Sequence, residues 1–182
     1  MRELFVMIAG RKTQFHCEKR KGIYTMRQTK KVADSRTEQQ YLIRHSHLNH
    51  YGRLFGGQLL IWIDELAGMV ATRHSNSFVT TAAIDNLQFK APAYLGDMIV
   101  LIGNVTCVGR SSMEIRVDTY IEAMDGRRSM INRAYIDMVA IDSTGATVEV
   151  PELILETEEE KAEYAAAMKR KEMRKQRRRE GF

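Results

Sequence analysis

The chain has 182 residues, of which 44% are hydrophobic and 28% are charged, values typical of a globular protein rather than a disordered one. No apolar run reaches the roughly 18 residues of a membrane-spanning helix, and the first residues lack a signal-peptide pattern. We therefore expect a cytoplasmic protein with no membrane partner. Cys17 and Cys107 predict neither a disulfide framework nor a zinc site, and Cys107, in an apolar run, is expected to be a small buried hydrophobe.

The net charge of +5 is unevenly distributed along the chain. Residues 1–31 and 169–182 together carry +13, whereas residues 32–168 carry −8. A nucleic-acid-binding domain places its basic residues on folded elements beside side chains that contact bases, so we expect no nucleic-acid partner. The basic stretch Lys169–Arg179 is expected to be a solvated tail, with a nucleic-acid or membrane arm as the alternative.

Three regions are predicted: a basic N-terminal extension at 1–36, a central domain at 37–150, and a charged C-terminal helix with a basic tail at 151–182. Met26 is an alternative start, because the charged residues after it resemble an ordinary N-terminus. Residues 40–44 predict a short strand, and a loop with three glycines follows at 49–57. From Gly57 to about His74 the chain lacks Pro and is rich in Leu, Ile, Ala and Met, which predicts a helix. Because this helix is apolar nearly all round, it is expected to lie in the core.

Consecutive strands are predicted after this helix. Their ranges are 78–84, 87–94, 98–108, 113–123 and 129–141. In 113–123 the apolar residues alternate with polar ones, so the face with Glu114, Arg116 and Asp118 is predicted to be wet. A buried helix followed by strands with tight turns predicts an α+β fold, with an antiparallel sheet curled round the helix. The C-terminal helix is expected to project from this body.

Asp64 is the residue that this pattern does not explain. Its helical neighbours are all apolar: Leu60, Ile61, Ala67, Gly68 and Ala71. Glu65, by contrast, lies on the polar stripe with Gln58 and Thr72, and is expected to be solvated. A buried carboxylate without partners costs several kcal/mol, so Asp64 must be hydrogen-bonded, protonated or at the mouth of a pocket. On spacing alone a structural role and a functional role, as a general base or a nucleophile, both stay open.

The glycine loop before the helix offers a second chemical element. The first N–H groups of a helix have no internal partner, so the region of Phe55, Gly56 and Gly57 could hold an oxyanion or polarise a carbonyl. A tight loop needs glycines in any case, so this signal is weak on its own.

Several ordered motifs over residues 40–145 resemble one family. They are Asn49–Gly52, Phe55–Gly57, Trp62–Gly68, Ala71–His74, Asn86–Pro92, Gly96–Asp97 and Val108–Ser112. Together they resemble the hotdog-fold acyl-CoA thioesterases of the cytosolic acyl-CoA hydrolase type, which includes the bacterial YciA-like enzymes. The resemblance implies a hotdog fold and hydrolysis of fatty acyl-CoA to fatty acid and CoA. It implies no cofactor, since CoA is part of the substrate and product.

The resemblance also implies an assembly and a set of site residues. Homodimers that assemble into hexamers are expected, with active sites between subunits. Asp64 matches the family's acidic residue, and Asn49 matches the loop Asn, which is expected to meet Asp64 across the dimer interface. The implied roles are activation of water or direct attack by Asp64, orientation of the nucleophile by Asn49, and polarisation of the carbonyl by amides near Gly57. For CoA the implied residues are Lys90, Arg110, Ser111 and Ser112.

Other interpretations are weaker. His45, His47, His50 and His74 lack metal-ligand spacing, so no metal site is predicted, and Ser111 lies in no G-x-S-x-G elbow. Hotdog dehydratases use a catalytic His in this region, so Asp64 favours hydrolysis over dehydration. A solvated turn explains Arg110 nearly as well as CoA binding does. The main alternative function is a non-catalytic acyl-CoA-binding hotdog sensor or regulator.

Overall fold

The computed structural model describes residues 2–8, 11–20 and 23–181, and the side chains of residues 27–85 and 87–181. Its elements in chain order are β1 (Arg2–Ile8), β2 (Arg11–Arg20), β3 (Ile23–Lys31), α1 (Val32–Ser35), β4 (Thr37–Leu42), α2 (Gly56–Ser75), β5 (Phe78–Phe89), β6 (Met98–Val108), β7 (Ser112–Glu122), β8 (Arg128–Ile141), β9 (Glu152–Ile154) and α3 (Glu158–Glu180). A five-stranded sheet has the order β4-β6-β7-β8-β5, and a four-stranded sheet has the order β1-β2-β3-β9.

Helix α2 is the central element of the fold. It ends at Asn76, whose left-handed backbone (φ 56°) closes the last turn. Its buried residues are Leu59, Trp62, Ile63, Leu66, Ala67, Val70, Ala71, His74 and Ser75. The antiparallel five-stranded sheet packs around this face, and Gly103 of β6 permits the close approach, since a Cβ there would lie 2.8 Å from the Val70 side chain. The predicted α+β architecture, with the sheet wrapped around one long helix, is confirmed.

Strand β5 differs from the prediction of two strands at 78–84 and 87–94. A single strand runs from Phe78 to Phe89, because the break in alternation near Asp85 marks an irregularity in the ladder with β8 and not a turn. The strand also ends earlier than predicted. Pro92 follows closely, and it has no N–H to continue a ladder.

The predicted wet face of β7 is wrong. Glu114 is only 1% exposed and Asp118 only 4% exposed, although both lie on the polar face of the strand. Helix α3 covers this outer face: the Arg170 guanidinium lies 2.8 Å from Glu114, and Ala167 of α3 is fully buried. The expectation that α3 projects from the body is therefore also wrong. Arg170 and Arg174 pair with acids of the sheet and are largely withdrawn from solvent, whereas the side chains of Arg177, Arg178 and Arg179 stay exposed.

The N-terminal extension contains β1 to β3. Strand β3 pairs in parallel with β9, and Arg27 donates to the carbonyl oxygens of Val150 at 2.6 Å and Gly109 at 2.7 Å. Lys30 Nζ donates to Asn76 Oδ1 at 2.9 Å, at the end of α2. The last part of the extension is thus attached to the central domain, while the boundaries of the three predicted regions stay predictions.

Candidate active site

Asp64 lies in the third turn of α2 and is half-buried. Its Oδ1 accepts a hydrogen bond from the Thr81 hydroxyl of β5 at 2.6 Å. This contact gives the carboxylate the partner that its apolar helical neighbours cannot give. Oδ2 has no hydrogen bond among the described residues. The arrangement therefore fixes one oxygen of Asp64 and leaves the other available for chemistry.

One side of α2 remains uncovered within a single chain. Ile61 is 52% exposed and Met69 is 38% exposed, although both are apolar. Glu65 is exposed, which confirms its assignment to the solvated edge of the helix. Asp64 therefore lies between the buried face and an exposed, partly apolar stripe.

Asn49 organises the loop that precedes α2. Its Oδ1 accepts hydrogen bonds from the backbone N–H groups of Tyr51 at 2.9 Å and Arg53 at 3.2 Å. Two N–H donors identify this atom as the oxygen and occupy it. Its Nδ2 makes no hydrogen bond with any described residue. The Asn49 side chain can thus offer N–H donors to a ligand.

Gly57 lies in the first turn of α2, where no side chain caps the helix. The N–H groups of this turn lack internal partners and lie at the positive end of the helix dipole. A Cβ at position 57 would lie 2.5 Å from the ring of Phe55, which is 55% exposed and would have to turn away to admit it. The N–H groups of this turn can therefore polarise a carbonyl, and Gly57 also lets the Phe55 ring lie against the helix.

A cleft of about 360 Å³ lies beside this turn. Its lining residues are Asn49, Arg53, Leu54, Gly56, Leu59, Phe89, Lys90, Ala91, Pro92, Ala93 and Ile131. Lys90 is exposed, and its backbone N–H donates to Ile131 at 2.9 Å. Asn49 and Lys90 therefore share one cleft, whereas Asp64 does not line it.

The predicted CoA-binding residues are not brought together within one chain. The Ser111 carbonyl accepts from the Ala140 N–H at 2.8 Å, and Ser112 pairs with Val139 of β8. Lys90 lies beside Ile131 of the same strand. Ile131 and Val139 are about 26 Å apart at roughly 3.3 Å per residue. Arg110, Ser111 and Ser112 thus lie at the opposite end of the sheet from Lys90.

The predicted catalytic residues are also divided. Gly57 and Asp64 are about 10 Å apart along α2 at 1.5 Å per residue. One chain therefore carries an amide half-site, which consists of Asn49, Gly57 and Lys90, and a carboxylate half-site, which consists of Asp64 and Thr81. Two groups this far apart do not act on one carbonyl.

Comparison with known proteins assigns this arrangement to a family. The Thioesterase superfamily model matches residues 51–125. The Bacillus subtilis protein described as the uncharacterized acyl-CoA thioester hydrolase YkhA is 39% identical over 132 residues, 72% of this chain and 77% of that protein. The chain belongs to the acyl-CoA thioester hydrolases. The predicted family, and its class of enzyme, are confirmed.

Solved structures agree with this assignment. An apo-hexameric acyl-CoA thioesterase superposes with a TM-score of 0.79 at 42% identity, covering 82% of this chain and 96% of that one. The Staphylococcus aureus acyl-CoA hydrolase, in complex with butyryl-CoA, CoA and CoA disulfide, has a TM-score of 0.80 at 32% identity over 84% and 93% of the two chains. Three other structures of that hydrolase carry Ala in place of an Asn, an Asp or a Thr.

Thr81 is the hydrogen-bond partner of Asp64 that the sequence interpretation missed. Asp64 was expected to need a hydrogen-bond donor, and Thr80 and Thr81 are the first hydroxyl groups in the strand after α2. The sequence could not choose between them, because the face that each side chain occupies depends on how β5 pairs with β8.

The other sequence predictions concern Cys107, a metal site and a membrane-spanning helix. Cys107 is buried, and burial together with the nearby Glu114 carboxylate raises the pKa of its thiol to about 11, which confirms its assignment as a buried hydrophobe. Among residues with described side chains, no group of His, Cys, Asp and Glu could hold a metal ion. None of the helices within the described ranges is long and apolar enough to cross a membrane.

Proposed function

We propose that the chain hydrolyses acyl-CoA to a free fatty acid and CoA at a site formed by two subunits, with Asp64 as the reactive group. The observation that carries this proposal is the Asp64 carboxylate on α2. Its Oδ1 accepts a hydrogen bond from the Thr81 hydroxyl at 2.6 Å, and its Oδ2 has no hydrogen bond among the described residues. A carboxylate oriented in this way suits general-base or nucleophilic catalysis.

The spacing of the residues substituted in the Staphylococcus aureus hydrolase supports this assignment. Its Asn, Asp and Thr are separated by 15 and 17 positions. Asn49, Asp64 and Thr81 have the same two separations in this chain. Thr81 therefore joins Asp64 and Asn49 among the proposed catalytic residues.

Each group has a chemical role in the proposed reaction. Asp64 Oδ2 takes a proton from water, whose oxygen attacks the thioester carbon, or Oδ2 attacks that carbon itself and water later hydrolyses the acyl intermediate. The C–S bond breaks, and CoA leaves as a thiolate that takes up a proton. Thr81 fixes the other carboxylate oxygen. The Asn49 Nδ2 group and the free N–H groups near Gly57 donate to the carbonyl oxygen as its negative charge develops.

The edge of the five-stranded sheet explains how two subunits complete one site. Strand β5 is at that edge and exposes Phe78, Ile84 and Phe89. If two β5 edges meet about a two-fold axis, the strands run in opposite directions. Thr81, near the start of one β5, then lies beside the end of the other, where Phe89 and Lys90 border the amide half-site. A two-fold dimer thus brings the carboxylate half-site of one subunit to the amide half-site of its partner.

Dimers of this kind are proposed to assemble into hexamers, as in the hexameric acyl-CoA thioesterase. Lys90, Arg110, Ser111 and Ser112 are proposed to bind the phosphates and nucleotide of CoA, with charged groups from the two ends of the sheet combined across the assembly. No cofactor is proposed. A cytoplasmic location, with no nucleic-acid or membrane partner, is also part of the proposal.

The substitution Asp64→Asn tests the assignment of the reactive group. It keeps the shape of the side chain but removes the base and nucleophile, so we expect release of free thiol from a panel of acyl-CoAs to be abolished while the circular dichroism spectrum stays unchanged. Glu65→Gln is the matched control, because it alters the exposed neighbouring acid on the same helix and should retain wild-type turnover. Normal turnover by Asp64→Asn would overturn the assignment. Binding of acyl-CoA by the wild-type chain without turnover would favour the acyl-CoA sensor.

A further inference from the structure

The edge strand β5 changes the face that its side chains occupy. Thr81 pairs with Met138 of β8, but the next pair joins Ala83 to Asp137, so two residues of β5 advance against one residue of β8. Such a β-bulge reverses the alternation of side chains in the residues that follow it, here Ala83 to Asp85. A second shift follows between Asp85 and Gln88. Asp85 therefore lies between two irregular points of the edge strand.

The first bulge places Thr81 and Asp85 on opposite faces of the sheet. In a regular strand, residues four apart share one face. Here the Thr81 hydroxyl bonds Asp64 of α2 on the inner face. On the outer face, Asp85 Oδ2 lies 3.1 Å from Arg174 and Oδ1 lies 2.7 Å from Arg177, both in α3.

Helix α3 also contacts the strands β7 and β8, beside the position of Asp85. Arg174 also contacts Glu114 of β7 at 2.7 Å, and its side chain is only 7% exposed. The Arg170 guanidinium bonds Glu114 at 2.8 Å and lies 3.6 Å from the centre of the Tyr135 ring of β8. Tyr135 is the residue that pairs with Asp85. The two arginines on Asp85 thus hold the edge strand against a helix that is itself attached to the two inner strands.

We propose that Asp85, Arg174 and Arg177 are positioning residues for catalysis: they hold the bulged register of β5, and this register keeps the Thr81 hydroxyl on Asp64. This inference rests on the proposed function of Asp64 and Thr81. A shift of β5 by one residue would turn Thr81 away from α2 and Asp85 away from α3. The ion pairs on the outer face therefore control the hydrogen bond on the inner face.

Arg177→Gln and Asp85→Asn test this role by removing one partner each. Because Arg177 is half exposed, its substitution leaves the buried Arg174–Glu114 pair in place. We expect each variant to lower kcat about tenfold, since small displacements of catalytic groups are costly, with KM for acyl-CoA changed less than about twofold. Asp85→Asn removes the contacts to both Arg174 and Arg177, so the double variant should be no slower than Asp85→Asn alone. Arg177→Lys, which keeps the charge, should restore at least half of the turnover.

Arg178→Gln is the matched control, because Arg178 lies on the same helix but its nearest acid is Asp137 of β8, at 3.8 Å. It should keep wild-type kcat. Amide hydrogen exchange of the peptide covering residues 78–89, measured without substrate, gives a readout independent of turnover. We expect exchange to become about tenfold faster in Arg177→Gln and Asp85→Asn and to stay unchanged in Arg178→Gln.

The outcomes separate this inference from the proposed function. Unchanged exchange in both variants, or equal loss of kcat in Arg178→Gln, would overturn the positioning role. Faster exchange with full turnover would also overturn it, because the register would then not matter for catalysis. A wild-type chain that exchanges as expected but releases no thiol would contradict the proposed function and leave the structural coupling of α3 to β5 supported.

Discussion

The two faces of the central strands β7 and β8 are both buried, but by different chemistry. The inner face packs apolar residues such as Ile115 and Ile136 against α2. The outer face packs Glu114 and Asp137 against the arginines of α3. Alternation of apolar and polar residues along β7 predicts burial on one side and solvent on the other. The structure shows that a polar face can equally be covered by a helix of opposite charge.

This difference also explains the charge distribution of the chain. The acids of the central region and the bases after residue 168 are partners, since Arg170, Arg174 and Arg177 all contact acids of the sheet. Apolar packing on the inner face is non-directional. Buried ion pairs on the outer face need each partner in place, because a charge left unpaired there is costly.

Among the substitutions that compare the two faces, Glu114→Ala on the outer face is expected to lower the free energy of unfolding most. Removing the carboxylate leaves Arg170 and Arg174 without their main partner, and we expect the free energy of unfolding to fall by about 3–5 kcal/mol. Ile115→Ala, one residue away on the inner face, is expected to cost about 2–5 kcal/mol through a cavity. Urea denaturation at equal protein concentration measures both, and a cost below about 1 kcal/mol for Glu114→Ala would mean that the outer face behaves as solvated.

The buried His74 is expected to make the free energy of unfolding depend on pH, an effect smaller than that of Glu114→Ala. Burial lowers its pKa from 6.5 to about 4, although its Nε2 lies 3.1 Å from the Pro151 carbonyl. Between these two pH values the unfolded chain binds a proton that the folded chain does not. The free energy of unfolding therefore has its full value above pH 6.5 and decreases as the pH falls toward 4. We expect it to decrease by up to about 3 kcal/mol across this range.

The variant His74→Gln should flatten this dependence. Urea denaturation at several pH values between 7 and 4 measures how the free energy of unfolding changes with pH. The control is His50→Gln, which replaces an exposed histidine and should leave this slope as in the wild type. Equal slopes in the wild type and in His74→Gln would contradict the lowered pKa, because they would mean that folding does not change the pKa of the His74 ring.

The sequence predicted the elements whose signal is local. The long apolar stretch of α2 and the acid within it, Asp64, were both found, and the family motifs led to acyl-CoA hydrolysis. The β5 bulge was not predicted, because a single added residue changes the pairing with β8 without altering composition. Thr81 was missed for a related reason, since the face that its side chain occupies is set by its pairing with Met138 of β8.

The outer network was missed for a different physical reason. Glu114 and Arg174 are 60 residues apart in sequence, and local alternation contains no information about a partner at that distance. Only the opposite charges of the central region and the C-terminal tail pointed to it, and a solvated tail explained the same charges. The separation of Gly57 from Asp64 by two helical turns, by contrast, already follows from the predicted helix.

The most direct test of the central claim, a thioesterase site shared between two subunits, is complementation between inactive chains. Asp64→Asn and Asn49→Ala would be purified separately, unfolded, mixed in equal amounts and refolded, and release of thiol from acyl-CoA would be compared with each parent refolded alone. In a mixed dimer one of the two sites regains both intact residues, so we expect the mixture to recover about a quarter of wild-type turnover for random two-fold pairing. A mixture no more active than its parents would contradict a site in which Asp64 of one subunit acts with Asn49 of its partner.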